Sequence, residues 1–168
     1  MKKRAIPKPA RSTLTSCVER IRVNLYDVNV LIYAHRNDFP FCAAVRAWLE
    51  QEFSGPSSFM ISELVLASYV RIVTNPRAFA NVTPLDVALN HIAAIRGNPL
   101  CLPINPGDRH FDIFTRLCRD GNAKGKLVAD AYLAALAIEH GCRWMTFDRD
   151  FARFPGLDWA EPPIDKPK

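Results

Sequence analysis

A chain of 168 residues, 49% hydrophobic and 23% charged, can bury a sizeable core and fits a single compact domain. No stretch approaches the roughly 18 uninterrupted apolar residues of a membrane span, and the start MKKRAIPKPARSTLTSC lacks the apolar run of a secretory signal; a cytoplasmic protein with no membrane partner is expected. The net charge of +5 is uneven: residues 1–22 hold seven Lys or Arg against one acid, the remainder fifteen against sixteen.

The excess thus belongs to a basic, Pro-, Ser- and Thr-containing leader, predicted to be a flexible tail. An RNA-attracting arm, a transit-like segment or residues upstream of the true start are its other readings. From Arg22 onward, strand-length apolar runs alternate with segments of helical period. RVNLYD reads as a strand and VNVLIYAH as the start of a helix. FCAAVRAWLEQEF (41–53) places Phe41, Val45, Trp48 and Leu49 on one face, and SGPSS ends it. SFMIS (58–62) is a second strand, and SELVLASYVRIVTN (62–75) opens on a Ser cap. The loop NPRAFANVTP leads to a helix expected to be capped by Thr83 with Pro84 at its first position. LCLPI is a third strand and GDRHFDIFTRLCRDG a helix. KLVADAYLAALAIEHG (126–141) is a helix closed by Gly141, RWMTFD a fourth strand, and LDWAEP a candidate fifth. This alternation predicts a three-layer α/β/α domain around a mostly parallel sheet of four to five strands. The expected boundaries are 1–22 for the leader, 23–160 for the domain and 161–168 for a C-terminal tail.

In open α/β sheets the functional crevice lies beyond the carboxyl ends of the strands. Asp27 ends the first strand, Glu63 lies in the first turn after the second, and Asp148 and Asp150 follow the fourth. At about 100° per residue, Asp130 falls within the apolar arc of Leu127, Ala131, Ala134, Ala137 and Ile138, where an unpartnered carboxylate is rare. No Lys or Arg sits beside these acids at the strand ends, and Arg149 is expected to point away from Asp148 and Asp150. Converging carboxylates without cations repel one another unless a divalent ion neutralises them. Hard oxygen ligands suit Mg²⁺, with Mn²⁺ as a substitute, and such a site can activate water for phosphodiester hydrolysis. The five cysteines form no C-x-x-C pair and the four histidines show no ligand spacing, which argues against zinc. Each acid also has an ordinary structural explanation: Asp27 as an N-cap, Glu63 as a dipole partner, and Asp148 as a turn residue. Asp130 fits such an explanation least.

The ordered segments LYDVNVLIYAH, ISELVL, VADAYLAALAIEHG and MTFDRDF closely resemble the PIN-domain ribonucleases, in particular the VapC-type toxins of type II toxin–antitoxin pairs, over about residues 23–160. The resemblance implies that Asp27, Glu63, Asp130 and Asp148 are the catalytic and metal-binding acids, with Asp150 auxiliary and Asn29 and Thr146 orienting them. Val28 departs from the Ser or Thr often found there. It further implies cleavage of structured RNA, tRNA or rRNA, with arrest of translation, a homodimer, and a cognate VapB-type antitoxin. YVRIVTNPRAF also looks like its counterpart in a subgroup of these toxins. Arg71 and Arg77, with Lys124 and Lys126 before the Asp130 helix, are candidate phosphate contacts. Phe79 and Tyr132 are expected in the core rather than stacked on bases. Two alternatives are a phosphatase or phosphotransfer domain with Asp27 as nucleophile, and a non-catalytic module binding RNA or a partner.

Overall fold

The computed structural model describes residues 22–165; residues 1–21, which include nearly all of the expected leader, and 166–168 lie outside the described residues. Five strands and six helices alternate among them: β1 (Asn24–Tyr26), α1 (Val28–His35), α2 (Cys42–Ser54), β2 (Phe59–Ser62), α3 (Glu63–Val73), α4 (Leu85–Arg96), β3 (Cys101–Ile104), α5 (His110–Asp120), α6 (Lys126–His140), β4 (Arg143–Met145) and β5 (Trp159–Ala160).

The strands form one sheet in the order β3-β2-β1-β4-β5, with every neighbouring pair parallel. LDWAEP therefore does supply a fifth strand. Successive strand residues face opposite sides, and Leu25 and Tyr26 are both fully buried, as is Trp144 on β4, with Met145 nearly so. Both faces of the centre are covered, as parallel sheets require. α1 packs on α2 and α3, α3 on α4, and α5 on α6.

Local chemistry explains most element ends. Asp27 and Ser62 accept from Val28 N and Leu64 N, starting α1 and α3, and Gly141, at φ 64°, closes α6 in the left-handed region. The start of α4 differs by one residue from expectation, with Pro84 at the cap and Leu85 first in the helix. Thr83 is engaged elsewhere: its N–H donates to Val73 O at 2.8 Å and its hydroxyl accepts from Arg36 Nη1 at 3.1 Å. Arg36 is buried, donates to Asn81 O at 2.8 Å, and lies over the Phe79 ring at 3.8 Å. Phe79 thus serves packing, and Tyr132 packs against His110 with ring centroids 4.4 Å apart.

Residues on either side of the expected domain, 23–160, make contacts with it. Arg22 is ion-paired with Asp158, which also accepts from Arg143. In the segment from 161, Pro162 is buried and Ile164 packs against the core. Its Pro-rich, charged composition hid two apolar contacts.

Candidate active site

Beyond the carboxyl ends of β1 and β4 lies a cleft of about 630 Å³, lined among others by Asp27, Asn29, Ser68, Arg71, Lys126, Asp130, Asp148 and Arg149. The parallel order places β1 beside β4 with Tyr26 opposite Met145, so the residues that follow, Asp27 and Thr146, emerge side by side. α6 then presents Asp130, buried at 7% exposure, from its apolar face.

Asp27 is 5% exposed and held by three donors. Its Oδ1 accepts from Val28 N at 2.6 Å, and its Oδ2 accepts from Thr146 Oγ1 at 2.6 Å and Asn29 Nδ2 at 2.9 Å. The Asn29 amide also donates to Thr146 Oγ1 at 2.9 Å, while its Oδ1 accepts from Phe147 N at 3.2 Å. Thr146 Oγ1 further accepts from Asp148 N at 3.0 Å. With its lone pairs filled by Asn29 and Asp148, the Thr146 hydroxyl must aim its hydrogen at Asp27. Asn29 and Thr146 thus fix Asp27, the orienting role that the resemblance implies for them, and Asp27 also caps α1.

Electrostatics separates the three acids. Burial pushes the Asp27 carboxyl up to about 6, outweighing the hydrogen bonds from Thr146 and Val28, and the charges of Asp130 and Asp148 add to the rise. Asp130 is raised by burial and by Asp148 and Asp150, against the opposing pull of Lys126. Its Oδ2 is buried and has no hydrogen-bond partner. Asp148 behaves oppositely: burial would raise it, but Lys126 and the Asp150 N–H outweigh burial and hold it below the usual carboxylate value.

The placement of Lys126 corrects the expectation that no cation stands beside the acids. Its Nζ donates to Asp148 Oδ2 at 2.7 Å, although 22 residues separate the two in sequence. Arg149 also lines the cleft while pairing with Glu161 at 2.6 Å, so it does not point wholly away. Asp150 is not at the cleft wall; its carboxylate meets Arg153 at 3.4 Å and its N–H donates to Asp148 Oδ1 at 2.9 Å. Of the four candidate phosphate contacts, Arg71 and Lys126 line the cleft, and Arg77 and Lys124 are exposed outside its lining.

Glu63 is not brought to the other acids. Its side chain is 65% exposed, lies 3.6 Å from Arg96, and borders a separate groove with Leu89 and Ile92 of α4. α3 instead turns Ser68, Arg71 and Ile72 to the cleft, residues at i, i+3 and i+4 that share one helix face. Ser68 is five residues from Glu63, about 140° around the axis. No pattern in the sequence singled out Ser68 among the polar residues of α3, a helix with buried apolar positions on more than one side. A Glu63→Gln variant is accordingly expected to shift the melting temperature by no more than about 4 °C in a circular-dichroism melt, because the exposed ion pair it removes contributes little to stability.

A second cavity of similar size, about 650 Å³, surrounds His35 and His91 between α2 and α4. Glu50 is the one acid in its lining, so the clustered carboxylates single out the first cleft as the place for chemistry.

The donor set at that cleft suits a hard divalent cation. The unpartnered Asp130 Oδ2 and the raised Asp27 are groups that a bound divalent cation would satisfy. No group of three or more Asp, Glu, His or Cys side chains among the described residues is gathered closely enough to hold an ion unaided; the third acid of the cleft is engaged by Lys126.

Fold and cleft together define a parallel α/β domain whose buried carboxylates meet at the carboxyl edge of its sheet. The PIN domain family model matches residues 25–157, and the chain belongs to the PIN-domain family. It is 41% identical over 140 residues to Ribonuclease VapC25 of Mycobacterium tuberculosis, covering 83% of this chain and 99% of that one. Ribonuclease VapC43 of the same species is 40% identical over 136 residues, covering 81% and 92%. The fold also matches VapBC2 from Rickettsia felis bound to a promoter DNA fragment, with a TM-score of 0.62 and 17% identity over 83% of this chain and 98% of that one. VapC20 of M. tuberculosis, described as a sarcin-ricin loop cleaving toxin, matches with a TM-score of 0.55 and 18% identity over 80% and 98%. No helix among the described residues is long and apolar enough to cross a membrane.

Proposed function

We propose that this protein is a Mg²⁺-dependent endoribonuclease toxin, acting in the cytoplasm on structured RNA of the tRNA or rRNA class and so arresting translation. A cognate VapB-type antitoxin neutralises it, and the active form is a homodimer. The observation that carries the chemistry is the pair of buried carboxylates, Asp27 and Asp130, with Asp130 Oδ2 left without a partner. The relatives named as ribonucleases support the reaction class, and the neighbour that is a VapBC complex supports the partner.

Asp27 and Asp130 would hold the ion, with Asp148 flanking them and Mn²⁺ able to substitute. Bound there, a divalent cation supplies a positive charge for the phosphate and lowers the pKa of a coordinated water. The chain's own residues set the rest. Thr146 and Asn29 hold Asp27 in one rotamer. Arg71 and Lys126 line the cleft with positive charge, where phosphate oxygens would be attracted. Tyr33, Leu133 and Phe147 form apolar wall beside the acids, strengthening electrostatic interactions within the cleft.

The phosphotransfer alternative requires Asp27 as nucleophile and would usually need a second Asp two residues on, where this chain has Asn29, whose amide donates to Asp27 and Thr146. Mapping cleaved 5′ ends across total RNA after brief expression of wild type and of Asp130→Asn tests the proposal. A small set of new ends in structured RNA, present for wild type and absent for Asp130→Asn, is expected. Identical end maps would remove the ribonuclease reading.

A further inference from the structure

We infer that Lys126 is a built-in cation of the acidic cleft: by engaging Asp148, its ammonium leaves a site for one divalent ion, held by Asp27 and Asp130. The inference rests on the ribonuclease reading and concerns how many ions the cleft accepts.

Lys126 Nζ donates to Asp148 Oδ2 at 2.7 Å, so the charge of that carboxylate is already matched by a cation, and its Oδ1 accepts from Asp150 N at 2.9 Å; the donors on Asp27 are all neutral. Asp27 Oδ1 serves Val28 N, and its Oδ2 serves Thr146 and Asn29; a carboxylate oxygen has room for more than one such partner. Asp130 Oδ2 is buried and accepts nothing. The unmet demand for positive charge therefore lies at Asp130 and its neighbour Asp27, and not at Asp148.

Lys126 is suited to this role by its place on α6. It stands one turn before Asp130, so the two share a helix face, and from there its ammonium reaches Asp148 at 2.7 Å. An ion bridging Asp148 would have to displace the ammonium or lie beside it against direct charge repulsion. The Lys126 side chain is 70% exposed and that of Asp148 24%. Such a pair is weak on its own, which lets the ammonium transfer from Asp148 to a phosphate oxygen when RNA arrives. Lysine suits that exchange because it donates as a flexible point charge rather than a fixed fork.

Mn²⁺ binding to the full chain, followed by calorimetry and by the electron paramagnetic resonance signal of the free ion at pH 7.5, tests this without an activity assay. Wild type is expected to bind one Mn²⁺ per chain, with affinity changed less than about threefold by Asp148→Asn. Asn keeps the Oδ1 acceptor for Asp150 N, so the turn there stays capped. Lys126→Met is expected to raise affinity at least about tenfold or to admit a second ion, and Lys126→Met with Asp148→Asn to lose that gain. A tenfold loss in Asp148→Asn alone, or no change in Lys126→Met, would overturn the inference while leaving the nuclease reading intact. Wild-type protein that binds no Mn²⁺ at millimolar concentration and cleaves no RNA would remove the nuclease reading itself, and this inference with it.

Discussion

Asp27→Asn is expected to lower RNA cleavage by at least about a hundredfold while making the metal-free protein more stable at pH 7.5. The two effects have one cause. Asp27 is nearly enclosed, and its carboxyl titrates at about 6 instead of 3.8. Keeping it ionised at neutral pH therefore costs the fold on the order of 3 kcal/mol. Asparagine removes that cost and retains an oxygen to accept from Val28 N at the start of α1. It also removes one acceptor facing Thr146 and Asn29, which reduces the gain to about 1–2 kcal/mol. In a chain of this size that corresponds to a rise of several degrees in melting temperature, at about 2–4 °C per kcal/mol. Thermal melts by circular dichroism in chelator, beside initial rates on a structured RNA, would show an inactive variant that melts higher. An inactive variant that melts lower would mean that Asp27 serves the fold rather than the reaction.

The second large effect is the response to divalent metal, and its dependence on pH. At one hundred times its dissociation constant, an ion that binds only the native state adds about 2.7 kcal/mol. Wild type should accordingly melt about 5–10 °C higher with saturating Mg²⁺ or Mn²⁺ at pH 7.5, and Asp130→Asn should show little of that gain. Without metal the trend with pH runs the other way. Between 3.8 and about 6 the folded Asp27 keeps a proton that the unfolded chain has lost. The native state then binds more protons, so stability falls as pH rises through that window and levels off above it. The raised Asp130 acts in the same direction. Asp148, held low by Lys126, contributes the opposite slope at more acidic pH. Metal must displace the Asp27 proton, so its stabilisation is small near pH 5 and full above pH 7. Melting curves across pH 5–8 with metal and with chelator should therefore diverge as pH rises. Parallel curves would show that the ion binds away from Asp27 and Asp130.

Much of the cleft was legible because its acids break local patterns. Asp27 interrupts a buried strand-to-helix run, and Asp130 sits on an apolar helix face; a charge in such surroundings signals a partner wherever it is found. The α/β alternation told which ends of the strands would meet. Asn29 and Thr146 were identified by resemblance, and the hydrogen bonds to Asp27 give their role a physical basis.

Glu63 and Lys126 were not legible in the same way. Glu63 begins α3, a helix buried along Val65, Leu66, Tyr69 and Val73 and packed against both α1 and α4. With apolar contacts on more than one side, periodicity does not say which polar residue faces the cleft, and rotation about the helix axis is settled only by packing. That rotation sends Glu63 to Arg96 and brings Ser68 and Arg71 inward.

What the sequence determined by itself is the parallel α/β order and the arrival of Asp27, Asp130 and Asp148 at one edge of the sheet. Those follow from local period, capping residues and chain order, which are properties of short segments. Only the tertiary structure decided that Glu63 leaves the acidic group and that Lys126 joins it. Both outcomes depend on how separate elements are set against one another: the rotation of α3 between its neighbours, and the reach of one flexible side chain from α6 to the end of β4.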